Sequence, residues 1–229
     1  MERIFQQNQM EMTREEYESK FNADDAVGWI SIDDQLTKVY AEQQPRHYGP
    51  LCGLHYMAGG TDPIDGINVY DREDPVHYHL TTYGMSHLYY SPDQLGQEFS
   101  KWGFEFTLRL APFEEDEGDP FWAMQVFNNL ARYVYSSGRW FEENQFIPAK
   151  GPIRLNTDTE IVGFVTSLDP ELGKIDTPHG EVSFIQLVGV TEKELNDIME
   201  HANTDYIANF IAQLKQSNPL LVTDLTRRS

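Results

Sequence analysis

Two histidines one residue apart, His77 and His79, are the best-placed metal ligands in this sequence. On an extended strand, side chains two positions apart share a face, so both imidazoles can reach one ion. A site also needs a third ligand and groups that orient the first two, and the sequence identifies neither. The competing reading is that both rings hydrogen-bond on a polar sheet face. That reading is preferred, so no metal and no cofactor is expected. Cys52 and His55 lie near each other, but a reactive thiolate needs a positioned base in an electropositive pocket, and a single cysteine more often fills core space. Gly84, Met85, Ser86, His87 and Leu88 begin like a nucleophile elbow and lack its second glycine. No P-loop, dinucleotide-binding glycine fingerprint or paired-cysteine zinc pattern occurs. No catalytic residue is expected.

Two other clusters suit contact better than chemistry. Glu114, Glu115, Asp116, Glu117 and Asp119 form a dense acidic run. Such a run repels itself and attracts a cation or an arginine-rich surface. Its plain reading is a solvated loop, with Asp119 capping the next helix. A calcium loop would need alternating ligands around a sharp glycine turn, and Gly118 alone does not supply one. Tyr78, Tyr83, Tyr89 and Tyr90 fall within thirteen positions. Tyrosine joins an apolar body to a wet hydroxyl, which suits both a core edge and an interface.

The elements that must hold these residues are legible in outline. Thr13 with Glu16 is a capping-box pattern, followed by Tyr17, Phe21 and Ala26. A second helix is expected from near Asp33, carrying Leu36, Val39 and Tyr40 and ending by Pro45. The period then changes to near alternation at 67–70, 76–80 and 104–110, as in half-buried strands. Turn clusters at 59–63 and 71–75 separate such runs. Asp119 and Pro120 suit the start of an amphipathic helix whose stripe runs Phe121, Met124, Phe127, Leu130, Ala131 and Val134, with Gly138 as its stop. Strands are expected at 161–168 and 182–190. A capping box at Thr191 and Glu194 leads into another helix, Asp205 suits the cap of a last one, and 220–225 reads as a short strand. Helices flank blocks of strands without alternating strictly, which argues for an α+β fold with a mixed sheet in one domain.

Composition sets the class. The chain has 229 residues, 40% hydrophobic and 13% aromatic, too apolar for a disordered protein. Seventeen basic against thirty-seven acidic residues give a formal charge of −20. That balance opposes binding to nucleic acid and to anionic membrane surfaces. It suits either simple solubility or a basic partner. No apolar run is long enough for a membrane span, residues 1–5 show no signal-peptide pattern, and one cysteine excludes an internal disulfide, so a cytoplasmic protein is expected.

Several strings resemble the Suppressor of fused family: GGTDPID at 59–65, HYHLTTYGMSHLY at 77–89, WGFEFTLRL at 102–110, LARYV at 130–134, TPHGEVSFIQLVGV at 177–190, and Thr223 with Asp224. They occur in the family's order from about 47 to 225. The resemblance implies a mostly antiparallel, curved sheet flanked by helices, like the family's amino-terminal domain. Residues 1–46 would be a helical segment packed on a domain spanning 47–229. It also implies a non-enzymatic protein-interaction domain. The animal proteins clamp an extended peptide of Gli-type transcription factors between two domains, and only the first is matched here. Some single-domain bacterial relatives are regarded as immunity proteins against toxins. Tyr89 is similar to a peptide-facing tyrosine of the animal proteins. The acidic partner of that tyrosine has no equivalent in the shorter stretch between Phe99 and Trp102, and His87 replaces an aspartate. The candidate partner-binding residues are therefore Tyr83, Tyr89, Glu114, Glu115, Asp116 and Glu117. The rival readings are a metal-binding enzyme or sensor centred on His77 and His79, and an acidic nucleic-acid mimic.

Overall fold

The computed structural model describes residues 12–50, 62–114 and 118–229. Cys52, His55, the turn at 59–61 and the acidic residues 115–117 lie outside them. Helices α1 (Arg14–Lys20) and α2 (Val27–Tyr40) precede strands β1 (Arg46–Tyr48), β2 (Gly66–Glu73), β3 (Val76–Tyr83) and β4 (Phe99–Leu110). Helix α3 (Phe121–Ser137) leads to β5 (Phe146–Pro148), β6 (Ile161–Leu168), β7 (Lys174–Thr177) and β8 (Gly180–Thr191). Helices α4 (Glu192–His201) and α5 (Thr204–Ser217) follow β8. The strands form one mixed sheet in the order β1-β2-β3-β4-β8-β6-β5, with β7 also paired to β8. Among the described strands only β4 and β8 run parallel; the other ladders are antiparallel. This is the α+β architecture the sequence pattern requires.

Alternation along the central strands builds two layers. Phe104, Phe106, Leu108 and Leu110 of β4 join Ala123, Met124, Phe127, Ala131 and Val134 of α3 in the largest core cluster. On β8, Ile185 and Leu187 belong to this cluster while Phe184 joins Ile32, Leu36, Tyr40, Tyr70 and Tyr83 in a second one that includes α2. A third cluster seats Leu195, Ile198, Ile207 and Ile211 of α4 and α5 on Val165, Val188 and Val190. The polar positions of β4 do not face water as half-buried alternation would have them. Glu105, Thr107 and Arg109 are as buried as their apolar neighbours.

Several element ends differ from the sequence expectation because tertiary bonds replace local signals. The Thr13 box forms, but α1 stops at Lys20, and Phe21 and Ala26 lie beyond it. Helix α2 begins at Val27, not near Asp33. Ala26 offers no side-chain cap; the amides of Gly28 and Trp29 donate instead to the Leu88 carbonyl, at 2.8 and 3.3 Å. A Cβ on Gly28 would stand 1.8 Å from the His87 carbonyl oxygen, so only glycine permits this approach. Asp119 does not cap α3, which starts at Phe121; its carboxylate accepts from Arg46 Nε at 2.7 Å and from the Tyr48 hydroxyl. Asn203, not Asp205, caps α5. Residues 220–225 contribute a single bridge between Leu110 and Thr223, not a strand. The cluster at 71–75 gives its first three residues to β2, leaving Asp74 and Pro75 as the turn. Gly138 ends α3 in the left-handed conformation, and the Thr191 box forms as expected.

Candidate interaction surface at the β4 bulge

The β4–β8 ladder breaks between the pairs Phe99–Glu181 and Phe104–Ser183. Four residues of β4 therefore oppose one of β8, and residues 100–103 are pushed out of the sheet. Lys101 and Gly103 take positive φ values of 59° and 76° to make the loop. Bulges of this kind re-aim side chains at sheet surfaces. The loop is tied to the turn after β3: Trp102 N donates to Met85 O at 3.1 Å, His87 N to Ser100 Oγ at 2.9 Å, and Lys101 Nζ to Gly84 O at 2.9 Å.

That turn is organised by Glu105. Its carboxylate accepts from the amides of Gly84 and Ser86, both at 3.0 Å, from Met85 N at 3.3 Å, and from the hydroxyls of Ser86 and Thr82 at 2.6 and 2.8 Å. Burial pushes the Glu105 carboxyl above the usual range, while the Ser86, Gly84 and Thr82 hydrogen bonds oppose that shift. The Ser86 hydroxyl thus belongs to a structural carboxylate, not to a histidine base. The elbow-like string is a turn that presents residues 87–90.

Tyr89 projects from this platform and is 56% exposed. Partial burial and then the nearby Asp65 carboxylate raise its phenol. An acid therefore stands beside Tyr89, supplied from the segment before β2 and not from the β4 loop. Asp65, His87, Tyr89 and Lys101 line one small cavity of about 170 Å³. On the other side of Lys101 runs a groove of about 600 Å³, lined by Phe99, Trp102, Trp140, Glu142, Lys174 and Glu181 among others. Phe99 is 51% and Trp140 56% exposed there. Trp102 meets Tyr135 at 5.6 Å, and Lys101 Nζ sits 5.0 Å over the same tyrosine ring. Exposed aromatics beside both signs of charge make a surface suited to a protein partner.

Tyr83 occupies a different place. It is fully buried, donates to Asp33 Oδ1 at 2.7 Å and accepts from Asn68 Nδ2 at 2.7 Å. It supports the α2 face and presents no surface of its own. Glu114 is exposed at the edge of the acidic run. Sequence reasoning missed Phe99, Lys101, Trp102 and Trp140. The Lys-Trp-Gly string at 101–103 was the available signal, since glycine inside a strand pattern marks a bulge.

The histidine pair is also accounted for. His77 and His79 do share a face, but the cation between them is the buried Arg109 guanidinium. Arg109 Nη1 lies 3.2 Å from His77 Nε2, and Nη2 lies 3.1 Å from Asp169 Oδ1. His79 Nε2 stands 3.0 Å from Asp169 Oδ2, and its Nδ1 pairs with the Tyr40 hydroxyl. Among the described residues no group of three or more acids, histidines or cysteines is placed to hold a metal. This arrangement counts against the metal-centred reading, for each ring nitrogen already has a neighbour.

Comparison with known proteins decides the lineage. A family model described as Suppressor of fused protein matches residues 60–228. The chain belongs to the Suppressor of fused family. The human Suppressor of fused homolog is 28% identical over 212 residues, covering 87% of this chain and 43% of the human protein. This chain thus spans under half the length of that relative. A chain of the Sufu–Fu complex crystal structure superposes with a TM-score of 0.76 at 30% identity, covering 90% of this chain and 93% of that one. Drosophila Suppressor of Fused gives 0.75 at 30%, covering 91% of this chain and 52% of that one. A homolog from Neisseria gonorrhoeae FA 1090, at 15% identity and a TM-score of 0.58 over 88% of this chain and 96% of that one, shares the fold. Within this Suppressor of fused domain, the string at 77–89 is β3 and the Glu105-bound turn, and the string at 102–110 is β4 from its bulge onward.

The neutral histidines set an acid limit. Burial and then Arg109 hold His77 down at about 4, below its ordinary 6.5, and burial also lowers His79, His87 and His179. Below pH 6.5 the unfolded chain takes up protons that the folded chain refuses, so stability falls as pH drops from 6.5 towards 4. Glu105, raised above its usual range, works in the opposite sense. Thermal melts are expected to move down between pH 7 and pH 5, and His77→Gln to flatten that slope. An unchanged slope in His77→Gln would remove His77 from the account.

Proposed function

We propose that this domain acts by holding a protein partner against the surface that the β4 bulge exposes, with Tyr89 on one side of Lys101 and the Phe99–Trp140 groove on the other. The observation that carries this reading is the set of exposed aromatic rings at a point where the sheet itself is interrupted. The presence of a similar chain in a Sufu–Fu complex supports it. Glu114 to Glu117 and the formal charge of −20 favour a partner with a basic face. Tyr83 lies apart from this surface, buried under α2, and takes no part in the proposed contact. A non-enzymatic role fits a chain in which Glu105 is committed to a turn, and His77, His79 and Asp169 to the Arg109 cluster. A single cysteine suits a reducing compartment, and cytoplasmic neutralisation of a basic toxin is the setting we favour.

Phe99→Ala with Trp140→Ala tests the reading, since both side chains are about half exposed and their loss should leave the melting temperature nearly unchanged. Affinity for a purified partner is expected to fall about 30-fold or more, as when a central aromatic anchor is truncated, and to weaken further with salt. Unaltered affinity in the double variant would contradict the proposal.

A further inference from the structure

A second cavity, sharing no residue with the groove, opens between α2 and strands β1 and β2. It measures about 440 Å³ and is lined by Trp29, Asp33, Tyr40, His47, Asn68 and Tyr70 among others. Its walls are rings in fixed contact. Trp29 stacks on the buried Tyr83 at 4.3 Å, Tyr40 stacks on Tyr70 at 3.8 Å, and His47 meets Trp29 at 5.4 Å. Gly66 makes room for this arrangement: a Cβ there would lie 2.4 Å from the His47 ring and 2.9 Å from that of Trp29.

The polar groups run in one direction. Asn68 Nδ2 donates to the Tyr83 hydroxyl, which donates to Asp33 Oδ1, each at 2.7 Å. Asn68 Oδ1 is then left to accept from His47 Nδ1 at 2.8 Å. The chain spends its donors in presenting acceptors. Among the described residues no hydrogen bond reaches Asp33 Oδ2 or His47 Nε2. Among the described residues no lysine or arginine pairs with Asp33; the nearby Arg72, stacked over Tyr40, is bound to Glu171 at 3.0 Å. Burial, and more weakly the neighbouring Asp34, raise the Asp33 carboxyl, while the Tyr83 hydrogen bond and the nearby His47 ring oppose the shift.

Aromatic walls and one open carboxylate oxygen are complementary to a desolvated cation. The geometry selects between cations. A guanidinium binds carboxylates best with two parallel bonds, and here the Tyr83 hydroxyl competes for one of the two oxygens. An ammonium needs a single oxygen and accepts ring faces around its stem. We propose that this pocket receives the ammonium of a lysine side chain presented by a protein partner. The proposal rests on the protein-binding reading above and adds the chemistry of one contact.

The test needs no partner. Nα-acetyl-lysine methylamide is titrated into the full chain while the Trp29 indole and His47 ring signals are followed by NMR. Saturable shifts at both residues are expected, with none from Nα-acetyl-norleucine methylamide, which matches the stem and lacks the charge. Asp33→Asn keeps the acceptor for Tyr83 and is expected to weaken lysine binding about tenfold or more. Equal response to norleucine, no saturable shift at Trp29, or undiminished affinity in a folded Asp33→Asn would overturn the proposal. If Asp33→Asn does not fold, the lysine–norleucine comparison in the unaltered chain decides. Failure here leaves the Trp140 groove untouched, because that surface is tested by other residues.

Discussion

Asp169→Ala is expected to destabilise the domain by about 3–5 kcal/mol, the usual consequence of removing one partner from a buried ion pair. Asp169 is buried and has five partners. It pairs with Arg109 through Nη2 and Nε, lies 3.0 Å from His79, and accepts from Thr107 Oγ1 at 3.1 Å. Its Oδ1 also accepts from the amides of Glu171 and Leu172, both at 2.9 Å, which shapes the loop leaving β6. Truncation strands a guanidinium in the interior with Glu171, 2.8 Å from Nη1, as its remaining anion. The penalty is a large part of the roughly 5–15 kcal/mol that domains possess. Equilibrium unfolding in urea measures it. Arg109→Met added to Asp169→Ala is expected to recover part of the loss, because the orphaned charge leaves with the arginine. A loss below about 1 kcal/mol for Asp169→Ala would mean that water reaches the cluster.

Glu105→Ala should cost a similar amount, about 3–5 kcal/mol: three amides and two hydroxyls lose their acceptor at about 1–3 kcal/mol each, and relief of the buried carboxylate's desolvation offsets part of that sum. The second consequence is functional. The Glu105 turn anchors the β4 loop through Met85 O and Gly84 O, so its loss should loosen Lys101, Trp102 and Tyr89 together. Hydrogen exchange at residues 84–89 and 100–103 is expected to quicken well before the α4 and α5 cluster is affected. Uniform acceleration across the chain would show that the turn has no local role. Glu105→Gln retains an acceptor and the side-chain shape, so it is expected to fall between the two.

The strands and the long α3 were legible because they depend on periodic burial that a linear sequence displays directly. Phe104, Phe106, Leu108 and Leu110 alternate, and Phe121 to Val134 recurs at helical steps. What stayed hidden were features set by distant residues. The polar face of β4 looks solvent-facing in sequence, yet Arg109 is matched by Asp169, sixty residues away, and Glu105 by a turn nineteen to twenty-one residues before it. The start of α2 is fixed by the Leu88 carbonyl, and Asp119 is withdrawn from capping by Arg46. Of the candidate site, Tyr89 could be read from its resemblance to a family motif. The groove could not, because Phe99 and Trp140 come together only through the bulge and the segment after α3. Tyr83 shows the converse limit: its type suits an interface, and Asn68 and Asp33 place it inside.

Site-directed photo-cross-linking in the native cell tests the central claim most directly. A photo-reactive phenylalanine is placed at position 140, at 89, and at 76 as a control. Val76 is exposed on the β2–β3 hairpin, beyond the end of β4 opposite its bulge. Positions 140 and 89 are expected to capture the same protein, and position 76 to capture none of it. Capture of that protein equally well from position 76, or its absence at both 140 and 89, would contradict an interaction surface at the bulge.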